Sequence, residues 1–211
     1  MSSDGHGCAV DAVVFDVGGV LLDWDPMRLY RRLCGDEATA RRFLADVCTT
    51  EWNREQDRGR SLAEATALLE QRHPDQVGLV RAYYDRWDEM LGGAIGGTVR
   101  LLDDLRAAGV PCYALTNFSA ELFPRARRRY PFLHGFDGLV VSGAEGILKP
   151  DPAIYRRLLA RYDLNASTTF FVDDVEDNVE TARRVGLVAH RFVGPDVLRR
   201  TLASYGLPVA G

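Results

Sequence analysis

Four short stretches of this 211-residue chain carry side chains able to do chemistry together. Asp16 ends the apolar run Ala9 to Phe15, broken only by Asp11, and is followed by Gly18 and Gly19. Thr116-Asn117 ends a second apolar run, Val110 to Leu115. Lys149-Pro150 lies in the loop after a third, Phe136 to Val141. Asp173-Asp174 ends a fourth, Thr168 to Val172, with Asp177 and Asn178 close behind. Short apolar and β-branched runs of this kind read as strands covered on both faces. In a parallel sheet their carboxyl ends converge on one crevice, where such sheets place ligands. A carboxylate, a hydroxyl, an ammonium and an acidic pair would then meet in one cleft.

Electrostatics says what that cleft could do. Asp16 and Asp174 side by side repel, and one must stay protonated unless a cation sits between them. An all-oxygen site suits Mg2+, which keeps several waters and takes one or two carboxylates plus phosphate oxygens of a substrate. Lys149 and the Thr116 hydroxyl would serve the remaining phosphate oxygens, while Asp16 faces phosphorus as a nucleophile. That is covalent catalysis through an aspartyl phosphate, with Mg2+ and Lys149 neutralising transition-state charge. Taken singly, each residue has a structural explanation: Asp16 as a turn residue, Thr116-Asn117 as a helix cap, Lys149 as a surface lysine, Asp173-Asp174 as a helix start. Four coincidences, one after each of four strands, favour the chemical one.

The elements that would position these groups follow from periodicity. Asp23-Trp24-Asp25-Pro26 reads as an exposed turn with proline at a helix start. Strand signals then vanish until about residue 91. Met27 to Leu33, Ala38 to Val47, Leu62 to Leu69 and Val77 to Leu91 carry apolar residues at helical spacing, and Ser61-Leu62-Ala63-Glu64 has the form of a capping box. Gly92 to Gly97 reads as the hinge back. It does not follow a strand or match a dinucleotide fingerprint. Beyond it helices and strands alternate, which makes a doubly wound parallel α/β sheet with a small helical insertion. The expected division is residues 9–24 and 93–211 for the sheet domain and 25–92 for the helical one.

Composition excludes several classes. Hydrophobic residues are 46% and charged residues 27%, with a net charge of −4, so no basic field is available for nucleic acid or an anionic membrane. The cluster Arg125 to Arg129 reads as a solvated helix face. Four cysteines show no zinc spacing, which suits a reduced, cytoplasmic setting. No apolar stretch approaches the roughly 20 residues of a membrane span, and residues 1–8 lack a signal-peptide core.

Phe15-Asp16-Val17-Gly18-Gly19-Val20, Leu115-Thr116-Asn117, Lys149-Pro150-Asp151-Pro152 and Phe171-Val172-Asp173-Asp174 resemble, in order, the four signatures of the haloacid dehalogenase (HAD) superfamily. The resemblance spans about residues 10–195, and the helical insertion is similar to the cap of its C1-type subgroup. It implies a Rossmann-like core, Mg2+ dependence and phosphatase activity on a small phosphorylated metabolite. Carried over by position, it implies Asp16 as nucleophile and metal ligand, the Gly18 backbone carbonyl and Asp174 as further ligands, and Thr116 and Asn117 against the phosphate. Lys149 would stabilise the phosphoaspartate, with Asp173 and Asn178 orienting the groups around them.

One departure matters. Such phosphatases carry a general acid two residues after the nucleophile, and here that residue is Gly18; a missing general acid costs on the order of 10²–10⁴ in rate. A good leaving group, such as that of a sugar-1-phosphate, would tolerate the loss. Otherwise Asp23, Asp25 or a cap residue must substitute, or the chain is a weak or inactive binding module. A metal-free dehalogenase using the same Asp is a further alternative, disfavoured by the extra carboxylates. Substrate choice is expected in the cap, with Trp24 and Asp25 beside the nucleophile as contacts. Glu51 to Gly59 reads either as a polyol-binding loop or as an amphipathic helix burying Trp52.

Overall fold

The computed structural model describes residues 10–209; Cys8 and Ala9, the start of the expected first strand, lie outside them. β1 (Ala12–Phe15) leads to β2 (Leu22–Trp24) and then to α1 (Met27–Cys34), α2 (Glu37–Asp46), α3 (Thr50–Asp57), α4 (Leu62–Arg72) and α5 (Val77–Asp85). After β3 (Leu91–Ala94) come α6 (Gly96–Ala107), β4 (Cys112–Thr116), α7 (Phe123–Arg129), β5 (Gly138–Val141) and the single turn α8 (Ser142–Glu145). The chain finishes through α9 (Pro152–Arg161), β6 (Thr169–Asp173), α10 (Glu176–Val185), β7 (Val188–Arg191) and α11 (Pro195–Ser204).

The main sheet has five strands in the order β5-β4-β1-β6-β7, and every pairing in it is parallel. Both faces are covered, which explains the continuous apolar runs. Val13 and Phe15 of β1 join Phe170 and Val172 of β6 in a core completed by Leu101 and Leu105 of α6 and Leu198 and Leu202 of α11. Val14 and Phe171 point the other way, onto Ile154, Tyr155 and Leu158 of α9. From β1 the chain moves to one side of the sheet and from β6 to the other. The crevice between these two carboxyl ends is therefore the switch point where ligands bind.

β2 and β3 were not legible as strands. They pair antiparallel, Leu22 opposite Ala94 and Trp24 opposite Leu91, so the expected turn at Asp23-Trp24 and the expected hinge at Gly92-Gly93 are instead a two-stranded flap. It carries the chain into the helices and back out. Within the helices, Tyr30 stacks on Phe43 at 4.8 Å and Trp52 meets Tyr83 at 5.1 Å and Tyr84 at 5.3 Å between ring centroids. Residues 51–57 are thus helical, with Trp52 packed rather than presented by a polyol-binding loop, and its indole N–H donates to Ala65 O at 3.2 Å. Ser61 caps α4 as expected, its hydroxyl accepting from Glu64 N.

Several polar contacts dock the helices onto the sheet domain. Ser142 Oγ donates to Asp57 O at 2.5 Å, Leu62 N donates to Glu121 Oε1 at 2.9 Å, and Arg125 pairs with Asp88 at 2.7 Å. Arg125 is therefore a docking residue, not part of a solvated stripe. No helix among the described residues is long and apolar enough to cross a membrane.

Phe170 is fully buried on a central strand and packs edge-on to Tyr205 at 5.6 Å. Phe170→Ala is expected to cost about 3–5 kcal/mol of unfolding free energy, read from urea denaturation.

Candidate active site

Asp16 emerges from β1 and is 7% exposed. Its carboxylate accepts at Oδ1, from Val17 N at 2.7 Å and from Lys149 Nζ at 2.8 Å. Lys149 is buried, and its ammonium also contacts Asp173 Oδ2 at 2.6 Å. Burial alone would lower the lysine's pKa, but Asp16 and Asp173 reverse that and hold it above its ordinary value. Burial drives the Asp16 carboxyl upward; Asp173 adds to the rise and Lys149 opposes it. A site that raises the pKa of a carboxylate beside a buried lysine is short of positive charge.

Asp173 has no lone pairs to spare. Val175 N and Asn178 Nδ2 donate to its Oδ1 at 2.9 Å each, while Lys149 and Asn178 share Oδ2. It orients Lys149, and Asn178 orients it. Asp174 is different: it is half-buried, burial followed by Asp173 raises its pKa, and its carboxylate lies against the Cα of Gly19. A Cβ at Gly19 would sit 2.5 Å from Asp174 Oδ2, and the residue has a φ of +75°. Glycine is required there twice over, by backbone conformation and by this close approach.

Each of Asp16, Asp173 and Asp174 offers a carboxylate oxygen within 4.8 Å of the others. With Asp173 saturated, Asp16 and Asp174 are the pair that fits a hard cation. The Thr116 hydroxyl, at the end of β4, is buried without a hydrogen-bond partner. An orphaned buried hydroxyl costs free energy unless a ligand completes it.

Asn117 differs from expectation. Its side chain clamps the Lys149 backbone, accepting from Lys149 N at 2.8 Å and donating to Lys149 O at 2.9 Å. Any phosphate contact from Asn117 must come from its backbone N–H. Asp25 Oδ1 accepts from Met27 N at 2.8 Å at the start of α1. Trp24 lines a cleft together with Gly18, Leu22, Trp87, Phe118 and Leu122.

This cleft, with a cavity volume of about 80 Å³, is mostly aromatic and aliphatic. Its polar groups include Asn53 and Asp57 of α3. Burial pushes the Asp57 carboxyl up to about 7, against the backbone N–H of Ser119 and the charge of Arg54. Nothing in the sequence singled out Asp57, which sits among charged residues on an amphipathic helix.

A family model described as haloacid dehalogenase-like hydrolase matches residues 10–186, and the chain belongs to that family. It is 31% identical over 180 residues to a sesquiterpene phosphatase of Aspergillus oryzae, covering 84% of this chain and 87% of that one. A HAD family enzyme from Bacteroides thetaiotaomicron, solved with magnesium and inorganic phosphate, superposes with a TM-score of 0.66 at 19% identity over 86% of this chain and 93% of its own. The L-2-haloacid dehalogenase of Xanthobacter autotrophicus superposes at 0.63 and 18% identity, covering 92% and 83%. At these identities the two structures share the fold.

Gly19→Ala is expected to displace Asp174 and weaken divalent-ion binding at least about tenfold, measured by calorimetric titration. Asp57→Asn is expected to raise the melting temperature at pH 8. A carboxyl whose folded pKa is raised stabilises the fold below its unfolded pKa, and that contribution is lost as pH rises through about 7. The gain should be a few degrees and should vanish near pH 4.

Proposed function

We propose that this hydrolase is a Mg2+-dependent phosphatase of a small phosphate monoester whose alcohol is largely apolar. The observation that carries the reading is the convergence of Asp16, Lys149 and Asp174 beside the unpartnered Thr116 hydroxyl. Asp16 and Asp174, with the Gly18 carbonyl, would hold the ion. Bound there, Mg2+ would screen the carboxylates from one another and polarise the phosphoryl group. Asp16 Oδ attacks phosphorus and the ester oxygen departs, leaving an aspartyl phosphate. Lys149, fixed by Asp173 and by Asn117, neutralises charge on the phosphoryl oxygens. Thr116 donates to one of them. Water then cleaves the acyl phosphate and Asp16 is restored.

The cleft lining refines the substrate. Trp24, Leu22, Trp87, Leu91, Phe118 and Leu122 present aromatic and aliphatic surface, with too few polar groups to satisfy the hydroxyls of a sugar. A sugar phosphate, the candidate suggested by sequence, therefore fits less well than a phosphorylated apolar alcohol. The likeness to a sesquiterpene phosphatase supports this choice. A metal-free dehalogenase would leave Asp16, Asp173 and Asp174 balanced only by Lys149 and by the more exposed Arg191 beside Asp174, so the acidic cluster favours phosphoryl transfer over carbon–halogen cleavage. The helices of residues 27–85 act as a cap that excludes water from the reaction, with domain limits near residues 25 and 92. The free Cys34, Cys48 and Cys112 suit a cytoplasmic enzyme.

Hydrolysis of 4-nitrophenyl phosphate should require Mg2+, stop with chelator, and fall more than about 10³-fold in Asp16→Asn. Full activity in that variant would end the reading. An apolar alkyl phosphate should exceed glucose 1-phosphate at least about tenfold in kcat/KM.

A further inference from the structure

We infer that Asp57, reaching the cleft from α3, is the general acid and base of this site, in place of the residue that Gly18 lacks. This inference rests on the phosphatase reading and deepens it.

Gly18 is not demanded by the backbone. Its φ is not in the left-handed region, and a Cβ built on it meets nothing within 4 Å. What the glycine leaves is space, and Gly18 and Asp57 line the same cleft. Among the described residues that line it, Asp57 is the one carboxylate. The two acids that follow the nucleophile most closely in sequence are engaged elsewhere, Asp23 in an ion pair with Arg28 and Asp25 in a hydrogen bond from Met27 N at the start of α1.

Asp57 is also held relative to the sheet domain, although it belongs to the helical insertion. Ser142 Oγ donates to its carbonyl at 2.5 Å and the Ser119 N–H to its carboxylate, while Asn53 Nδ2 donates to Oδ2 at 3.2 Å. A flexible surface acid would have no such supports from the opposite domain. The charged or titratable groups acting on it are Arg54 on its own helix and Tyr83 and Tyr84 on α5. Burial raises both phenols well above neutrality, so they stay uncharged.

The proton balance closes with residues of this chain. As the Asp16 oxygen forms its bond to phosphorus, the bond from phosphorus to the ester oxygen breaks and that oxygen takes the Asp57 proton. The resulting Asp57 carboxylate then removes a proton from the water that attacks the phosphoaspartate. Phosphate leaves, Asp16 regains its carboxylate, and Asp57 is again protonated.

The test compares decyl phosphate, a poor leaving group, with 4-nitrophenyl phosphate, a good one, in the full chain with Mg2+. In Asp57→Asn, decyl phosphate turnover should fall on the order of 10²–10⁴-fold. With the aryl ester, one equivalent of nitrophenol should appear in a burst before slow turnover, because only the second step still needs a base. Adding Gly18→Asp to that variant should restore decyl phosphate turnover at least about tenfold. In the unmodified protein, the decyl-to-nitrophenyl ratio of kcat should fall as pH rises through about 7, a measurement that needs no folded variant. Unchanged turnover in Asp57→Asn, equal loss on both esters without a burst, or a flat ratio across pH would each overturn the inference. Absence of Mg2+-dependent turnover in the unmodified protein, or its survival in Asp16→Asn, would instead sink the phosphatase reading itself.

Discussion

A single buried ammonium organises the site. Lys149 Nζ lies between Asp16 and Asp173 at 2.8 and 2.6 Å, with Asp174 close by. Three carboxylates against one ammonium leave two negative charges if all are ionised. Buried charge of that size is not tolerated; the groups either take up protons or recruit a cation. The upward drift of the Asp16 and Asp174 carboxyls is the first response. A divalent ion would be the second, and on the proposed reading it would leave Asp16 anionic and able to attack.

Holding that cluster requires elements far apart in sequence to stop at one level. β1, β4 and β6 do so because parallel pairing in fixed register puts Phe15 beside Ala114 and Val172, so Asp16 and Asp173 come level and Thr116 follows one residue beyond that level on β4. The lysine cannot be delivered by a strand. It comes on the loop before α9, and the Asn117 side chain grips its peptide at both ends. Asn178 performs the matching service for Asp173, and Tyr155 fixes the Asn178 carbonyl in turn at 2.9 Å. Amides suit these posts because they hold both donor and acceptor without adding charge to a site that already has too much.

These relations also explain what could be read in advance. Strands covered on both faces announce themselves as apolar runs, and residues directly after them are local in sequence, so Asp16, Thr116, Lys149, Asp173 and Asp174 were visible together. β2 and β3 were not, since each is three or four residues long, one contains Gly92-Gly93, and each is a strand only because of the other. The role of the Asn117 side chain was hidden for a similar reason: its partner lies 32 residues away. Asp57 was hidden most completely. On α3 it looks like any charged residue of an amphipathic helix, and only the docking of that helix onto Ser119 and Ser142 turns it into a half-buried acid with a raised pKa.

That docking links substrate choice to chemistry. The same α3 that contributes Asn53 and Asp57 to the cleft is braced inside by Trp52 against Tyr83 and Tyr84, so the acid's position depends on the aromatic packing of the whole insertion. An apolar substrate body filling the space between Trp24, Trp87 and Phe118 would displace the water that otherwise solvates Asp57 and the phosphoryl oxygens. With water gone, each of the charges around Asp16 acts through a lower effective dielectric and counts for more. A polyol would bring its own hydration into the cleft and weaken those interactions. On the proposed reading the apolar lining and the acidic cluster are complementary: binding energy from the inert end of the substrate would strengthen the electrostatics at the reactive end.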